Sequence, residues 1–406
     1  MAVAEGASFR PRDHAAVNAL WLGIQFQDAA LLAIVVPALV LRLAPGNHTA
    51  VLALLATLAS LAVALVPPLA GALSDRARRA GGDRRKETAL ALGADALALV
   101  AMGFAASPAA LGFGLVVATI ALTAGSTIYQ ALLPEIVPRR AWGMASGVRG
   151  AMTLLGTIAG LIAAALLRPE LALFAIAAAV LLATASLVAV PRERAGDVHG
   201  APSGSVPAHA VVRDHHDLIV TLIARGWIVL GMTLLNTYVL YFFHDVLGVR
   251  DASLRTGLVA GAALVGAIGS SIWTGTLSDT VDRRIVVALS GVPMTLAALG
   301  FALAPNPAAI LLYAVLFGLG FGGVFSVGWA LALDAVPELG DVARDLGIWA
   351  TLSSLPAIAA PALGAFIIAH AATPGAGYRI MFAIAGGSFA VGSLTVLRVR
   401  KRPVAA

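Results

Sequence analysis

Long apolar runs, each closed by glycine, proline or charge, follow one another along the chain with little polar sequence between them. They occupy about 17–42, 49–74, 88–107, 109–133, 144–167, 169–190, 218–244, 253–278, 284–304, 307–333, 345–370 and 376–398. Each reaches the roughly 20 residues that a helix rising about 1.5 Å per residue needs to cross a hydrocarbon core about 30 Å thick. None alternates apolar and polar residues as the strands of a membrane barrel do. The pattern predicts an all-α polytopic membrane protein with twelve transmembrane helices, six on either side of one break. That break, PRERAGDVHGAPSGSVPAHAVVRDHH, has the proline, glycine, serine and charge of a solvated linker. The predicted organisation is an N-terminal six-helix bundle at 1–190, a cytoplasmic linker at 191–216 and a C-terminal six-helix bundle at 217–406.

Composition agrees, since 60% of residues are hydrophobic, 12% are charged and the mean hydropathy is +0.92, against roughly 25% charged residues in soluble domains. With no cysteine there are no disulfides and no thiolate metal or redox centres. Four linker histidines, His199, His209, His215 and His216, lack metal-ligand spacing and read as solvated. Met1 to His14 is polar and without a short apolar core, so no removable leader is expected and the first helix is retained. Charge sets the orientation, because Lys and Arg are held on the cytoplasmic side. With both termini inside, 20 of the 27 basic residues fall in inner segments, five in outer segments, and Arg149 and Arg225 within helices. The net charge of +6 is thus a topology signal for the plasma membrane; nothing in it points to nucleic acid.

The two halves repeat. GALSDRARR at Gly71 to Arg79 returns as GTLSDTVDRR at Gly275 to Arg284, placing Asp75 and Asp279 204 positions apart, and EIVP at Glu135 to Pro138 matches DAVP at Asp334 to Pro337 at an offset of 199. A duplicated six-helix half predicts a midplane site opened alternately to each side. An aspartate at the inner end of a helix can accept bonds from basic side chains and from a neighbouring helix N-terminus, forming a state-dependent latch. The residues assigned to it are Gly71, Asp75, Arg76, Arg78 and Arg79, with Gly275, Asp279, Arg283 and Arg284 in the second half.

These residues carry a resemblance. The chain resembles the major facilitator superfamily, whose loop between the second and third helices bears a glycine, an aspartate and basic residues, matched here by Gly71, Leu73, Asp75, Arg76, Arg78 and Arg79. The longer string PPLAGALSDRARRAGGDRRKE resembles the loop of the glycoside-pentoside-hexuronide and sucrose-transporter-like branches. YVLYFFHDVLGV at Tyr238 to Val249 is similar to the first helix of those sugar symporters. The resemblance implies two pseudo-symmetric bundles, alternating access and a sugar-like substrate.

The polar positions inside the spans mark a candidate site. Asn18, Trp21, Gln25 and Asp28 are spaced 3, 4 and 3, so they share one face of the first helix. Asp28 lies about 17 Å into that helix at 1.5 Å per residue, where an ionisable group is by default a functional candidate. Thr123, Ser126, Tyr129 and Gln130 on the fourth helix, Arg149 on the fifth, Asn236 and Tyr241 on the seventh and Trp329 on the tenth complete the expected lining. Hydroxyls, amides and aromatic faces suit a polar, hydroxylated solute, although serine and threonine also serve helix packing. The buried Arg149 cation is expected to pair with Asp28, the alternatives for it being Glu135, Asp95 or snorkelling to the inner surface, and Asp95 is read as a structural contact. GLGFGG at Gly318 to Gly323 has no preceding strand and no following lysine, so it reads as helix packing, not a phosphate loop.

The expected function is secondary active transport, as proton-coupled symport of a sugar or similar polar solute by a monomer, with sodium as the alternative ion. No cofactor, metal or enzymatic activity is expected. The alternatives are a proton-coupled exporter of amphipathic compounds and a receptor or interaction protein on the same scaffold.

Overall fold

The structure is a computed structural model that describes residues 11–137, 142–188, 216–278, 280–303, 307–335 and 352–400. Among these the chain is helical, with no strand. The elements are α1 (Pro11–Ala30), a π-helical turn at Leu31–Val35, α2 (Val36–Leu43), α3 (His48–Arg79), α4 (Arg84–Gly103), α5 (Pro108–Ile136), α6 (Trp142–Leu166) and α7 (Pro169–Ala185). They continue with α8 (His216–Tyr241), a second π-helical turn at Phe242–Val246, α9 (Ala252–Leu277), α10 (Arg283–Leu303), α11 (Pro307–Ala335), α12 (Pro356–His370) and α13 (Pro374–Val396). The segment from α1 through α2 is one span of 32 residues. Eleven described helices are long and apolar enough to cross a membrane, and α4, with four charged residues in its first turn, is the twelfth of the expected set.

Helix starts follow from sequence chemistry. Proline opens α5, α7, α11, α12 and α13, where its missing N–H is one of the groups a helix leaves unbonded. Asp83, set among arginines, caps α4 by accepting the Arg85 N–H at 2.9 Å, and Asp282 caps α10 by accepting the Arg284 N–H at 3.0 Å. Both caps and both donors are 199 positions apart, the offset of the EIVP and DAVP landmarks, so the duplication extends to the capping bonds. The first span of each repeat also carries a five-residue π-helical turn, a feature that inserts an extra residue and is frequent at functional sites. Periodicity alone had indicated no break there.

The chain forms two compact units, Met1–Leu43 with Leu61–Ser203, and Ala44–Ser60 with Gly204–Ala406. The unit boundary therefore falls inside α3, whose first turns belong with the C-terminal helices. In unit 1, α1 packs on α6 and α7, and α4 packs on α5 and α7. In unit 2, α11 packs on α9 and α10, α13 on α8 and α10, and α12 on α8 and α13. On α3, Leu54, Leu58, Leu61, Leu65, Leu69 and Leu73 are exposed at helical spacing. In lipid such a stripe is the solvent-facing side, because hydrocarbon gives apolar groups no reason to turn inward. Glycines let backbones approach instead. A Cβ at Gly156 or Gly160 of α6 would run into the carbonyls of Leu22 and Phe26 on α1. One at Gly318 or Gly322 of α11 would run into the carbonyls of Ala263 and Ala267 on α9, while Gly320 and Gly323 meet Ser290 of α10. The GLGFGG motif thus packs one helix against two neighbours, as expected from its sequence.

Candidate functional site

On α1 the four residues that share a face in sequence divide into two kinds. Asp28 is exposed, and its one hydrogen-bond partner among the described residues is the Gln25 amide, at a long 3.4 Å. Asn18 is buried and donates its amide to the His14 carbonyl one turn back at 2.9 Å, which makes it a packing group here. Trp21 is buried, and the Arg149 guanidinium lies over its ring at 3.7 Å from the centroid, a cation–π stack. The expected Arg149–Asp28 pair is therefore not formed. Arg149 sits at the level of Trp21, seven residues or about 10 Å along the helix from Asp28, and the indole face takes the cation. The Tyr129 ring tilts against Trp21 at 6.4 Å, and its hydroxyl, fully buried, donates to the Val17 carbonyl across the helix pair.

Of the remaining α5 residues, Gln130 is exposed, and Thr123 and Ser126 are half-buried, with the Ser126 hydroxyl turned to the Thr123 carbonyl at 3.1 Å. In unit 2, Asn236 is exposed, whereas Tyr241 is fully buried and faces the His48 ring edge-on. The side chain of Trp329, and that of Glu135, lie outside the described residues. Of the expected lining in unit 1, Asp28 and Gln130 are exposed and Gln25 is half-buried; in unit 2 Asn236 is exposed. Asp28 supplies an acceptor that can also take a proton, and the three amides supply neutral donors and acceptors.

Asp95 has a specific partner that polar-face reasoning missed. Gln27 donates its amide to Asp95 at 2.9 Å, and both side chains are fully buried between the first and third spans. The signal was present as the second glutamine beside Asp28, one residue earlier and so turned about 100° away.

At the inner end of α3, Asp75 accepts a bond from the Arg84 guanidinium at 2.5 Å. Arg84 is buried and also donates to the Ala131 carbonyl of α5 at 3.1 Å, so it ties three helices of unit 1. Ser74 donates to Glu87 at 2.7 Å beside it. Among the expected latch arginines, Arg79 turns back to the Asp75 carbonyl at 3.2 Å and Arg76 is exposed; the carboxylate itself is held by Arg84. In the second half, Arg284 forks onto Asp282 and donates to the Val399 carbonyl, each at 2.5 Å; Asp279 lies outside the described residues. Gly71 and Gly275 both have open space where a Cβ would stand, as befits equivalent positions.

Eleven apolar spans among the described residues, with α4 between them and landmarks repeated at a near-constant offset in both halves, define a polytopic membrane protein built from a duplicated half. The family model of the Major Facilitator Superfamily matches residues 21–338 and 228–406. The chain belongs to that superfamily, and its fold is the two-bundle major facilitator fold expected from the sequence. No curated protein sequence matches the chain. Among solved structures it is similar to the nucleoside transporter NupG (TM-score 0.72, 12% identity, covering 96% of this chain and 100% of that one). It is also similar to the D-xylose-proton symporter (0.73, 17%, 95% and 97%). A third is a bacterial homologue of the human lysosomal transporter Spinster, inward-facing and unoccupied (0.72, 15%, 98% and 100%). At these identities the likeness defines the fold and does not single out the glycoside-pentoside-hexuronide branch.

Proposed function

We propose that the chain is a proton-coupled symporter that moves a sugar or a nucleoside-like polar solute by alternating access, with Asp28 carrying the coupling proton. The observation that supports this most is Asp28 itself, an exposed carboxylate deep in the first span whose one partner among the described residues is an uncharged amide. A charge facing hydrocarbon costs several kcal/mol, so that face of α1 is wet, and an acid in water beside an apolar wall can load and release a proton. Gln25 and Gln130 then offer neutral hydrogen bonds to hydroxyls, and two structural neighbours are a nucleoside transporter and a D-xylose-proton symporter. Arg149, held on Trp21, is a positive charge that a later state can bring to Asp28. In this reading the protein is a plasma-membrane monomer with both termini in the cytoplasm, and the Asp75–Arg84 contact is a conformational latch.

The test begins with a thermal-shift screen of purified protein against sugars, nucleosides, amino acids and amphipathic cations, since binding to the folded state raises its melting temperature. Proteoliposomes are then given a hit, and proton influx is followed. Asp28→Asn, which keeps the shape and imitates the protonated acid, should abolish substrate-driven influx while binding survives. Wild-type influx in the variant would remove Asp28 from the mechanism. Stabilisation by amphipathic cations alone would point to export.

A further inference from the structure

His48 opens α3, and its ring is held at both nitrogens. Nδ1 lies 2.8 Å from the Pro45 carbonyl oxygen, and Nε2 lies 2.9 Å from Asp245 Oδ2 in the π-helical turn after α8. The same carboxylate oxygen accepts the Tyr378 hydroxyl of α13 at 2.6 Å, while Oδ1 lies 2.7 Å from His244 Nδ1. All these residues belong to unit 2. The His48 ring stands edge-on to Tyr241 at 4.5 Å, and 6.4 Å from the His244 ring. Among the described residues, then, the titratable groups facing His48 are Asp245, His244 and Tyr241, with Tyr378 reaching it through the shared carboxylate.

The proton count follows from the donors and acceptors. A carbonyl oxygen only accepts, and a carboxylate only accepts, whereas a neutral imidazole donates from one nitrogen and accepts at the other. A neutral ring here would set a lone pair against an oxygen lone pair on one side. Both contacts are satisfied when the ring carries both protons, or when Asp245 carries the second one and donates it to Nε2. Either way the pair holds one proton more than a neutral ring beside a carboxylate.

We propose that His48 and Asp245 form a proton-binding site at the outer end of α3, and that its proton fastens the first turn of that helix to α8 and α13. The site is separate from Asp28, does not depend on the transport reading, and takes its proton from the outer surface. An unperturbed imidazole titrates near pH 6.5, so such a site answers to changes in external pH around neutrality. Loss of the proton costs the ring one of its two bonds, and a net hydrogen bond contributes about 0.5–1.5 kcal/mol. That corresponds to a change of about two- to tenfold in how often the first turn opens. His244 is exposed and contacts the other oxygen of the same carboxylate.

The experiment uses the full chain in nanodiscs with ¹⁵N-labelled histidine, the His48 signal being assigned by its loss in His48→Gln. At low pH the signal should show both nitrogens protonated or, if the second proton sits on Asp245, a ring accepting at Nε2 together with a protonated carboxyl band in the infrared that disappears in Asp245→Asn. On raising the pH the extra proton should leave. Hydrogen exchange of the first turn of α3, where the Val51 N–H donates to the Asn47 carbonyl at 3.1 Å, should then rise about two- to tenfold after correction for the intrinsic pH dependence of exchange. In His48→Gln, whose amide donates at every pH, the corrected exchange should no longer depend on pH. Asp245→Asn, which removes the charge but keeps an acceptor, should give the same independence. A neutral His48 beside an ionised Asp245 throughout the range, or corrected exchange that ignores the titration in wild type, overturns the proposal.

Discussion

Gln27 and Asp28 are consecutive, and the helix turns one inward and the other outward. Asp28 is exposed, while Gln27 is sealed against Asp95, leaving Gln27 Oε1 and Asp95 Oδ2 as buried acceptors with no donor among the described residues. An N–H or O–H at the Asp95 Oδ2 position facing Gln27 would close a two-bond ring between the side chains. Asp95→Asn provides such a donor permanently, so its stability should equal or exceed wild type. Asp95→Leu strands the buried Gln27 amide and should cost about 1–3 kcal/mol. Equilibrium unfolding in mixed micelles measures both, and a Leu variant as stable as wild type would show that the pair contributes nothing.

Helices in this protein approach through missing side chains. The close faces of α6 on α1 and of α11 on α9 are glycines set four apart, Gly156 with Gly160 and Gly318 with Gly322, whose neighbours are backbone carbonyls that cannot swing aside. Adding even a methyl group there forces the helices apart, and overpacking typically costs about 1–3 kcal/mol. Gly318→Ala and Gly322→Ala should each lower stability by at least that much. Gly328→Ala on the same helix, where no atom stands within 4 Å, should be neutral or slightly stabilising. Thermal unfolding in detergent separates the three, and equal melting temperatures would refute the packing role. The glycine-rich string was legible as helix packing from sequence because no strand precedes it. Which helices it joins was not, since a glycine says only that something comes close.

For the whole molecule, the charge distribution predicts an orientation, and the absence of cysteine makes it testable by single-cysteine labelling. Ala80→Cys, exposed just after α3, should react only with reagent admitted to the cytoplasm, and Asn47→Cys, exposed just before it, only from outside. External labelling of Ala80→Cys in intact cells would invert the topology. The structure guides the choice of sites, because Arg84, four residues further on at the start of α4, is buried on Asp75 and would report on unfolding instead.

The chain's twelve spans were readable from sequence because a bilayer demands about 20 apolar residues per crossing, a requirement local in sequence and strong enough to override other preferences. The duplication was readable as well, since equal offsets between landmarks need no three-dimensional information, and the caps at Asp83 and Asp282 repeat that offset. Pairing across the fold was decided by tertiary structure alone. Arg149 stacks on Trp21 and not beside Asp28, Asp75 is held by Arg84, Gln27 meets Asp95, and His48 reaches Asp245 across 197 positions. Helical periodicity tells which residues share a face but not which neighbour that face meets or at what height, and in lipid an apolar exterior removes the contrast that marks inside from outside in water. The π-helical turns after Ala30 and Tyr241 belong with these, because no residue type announces them.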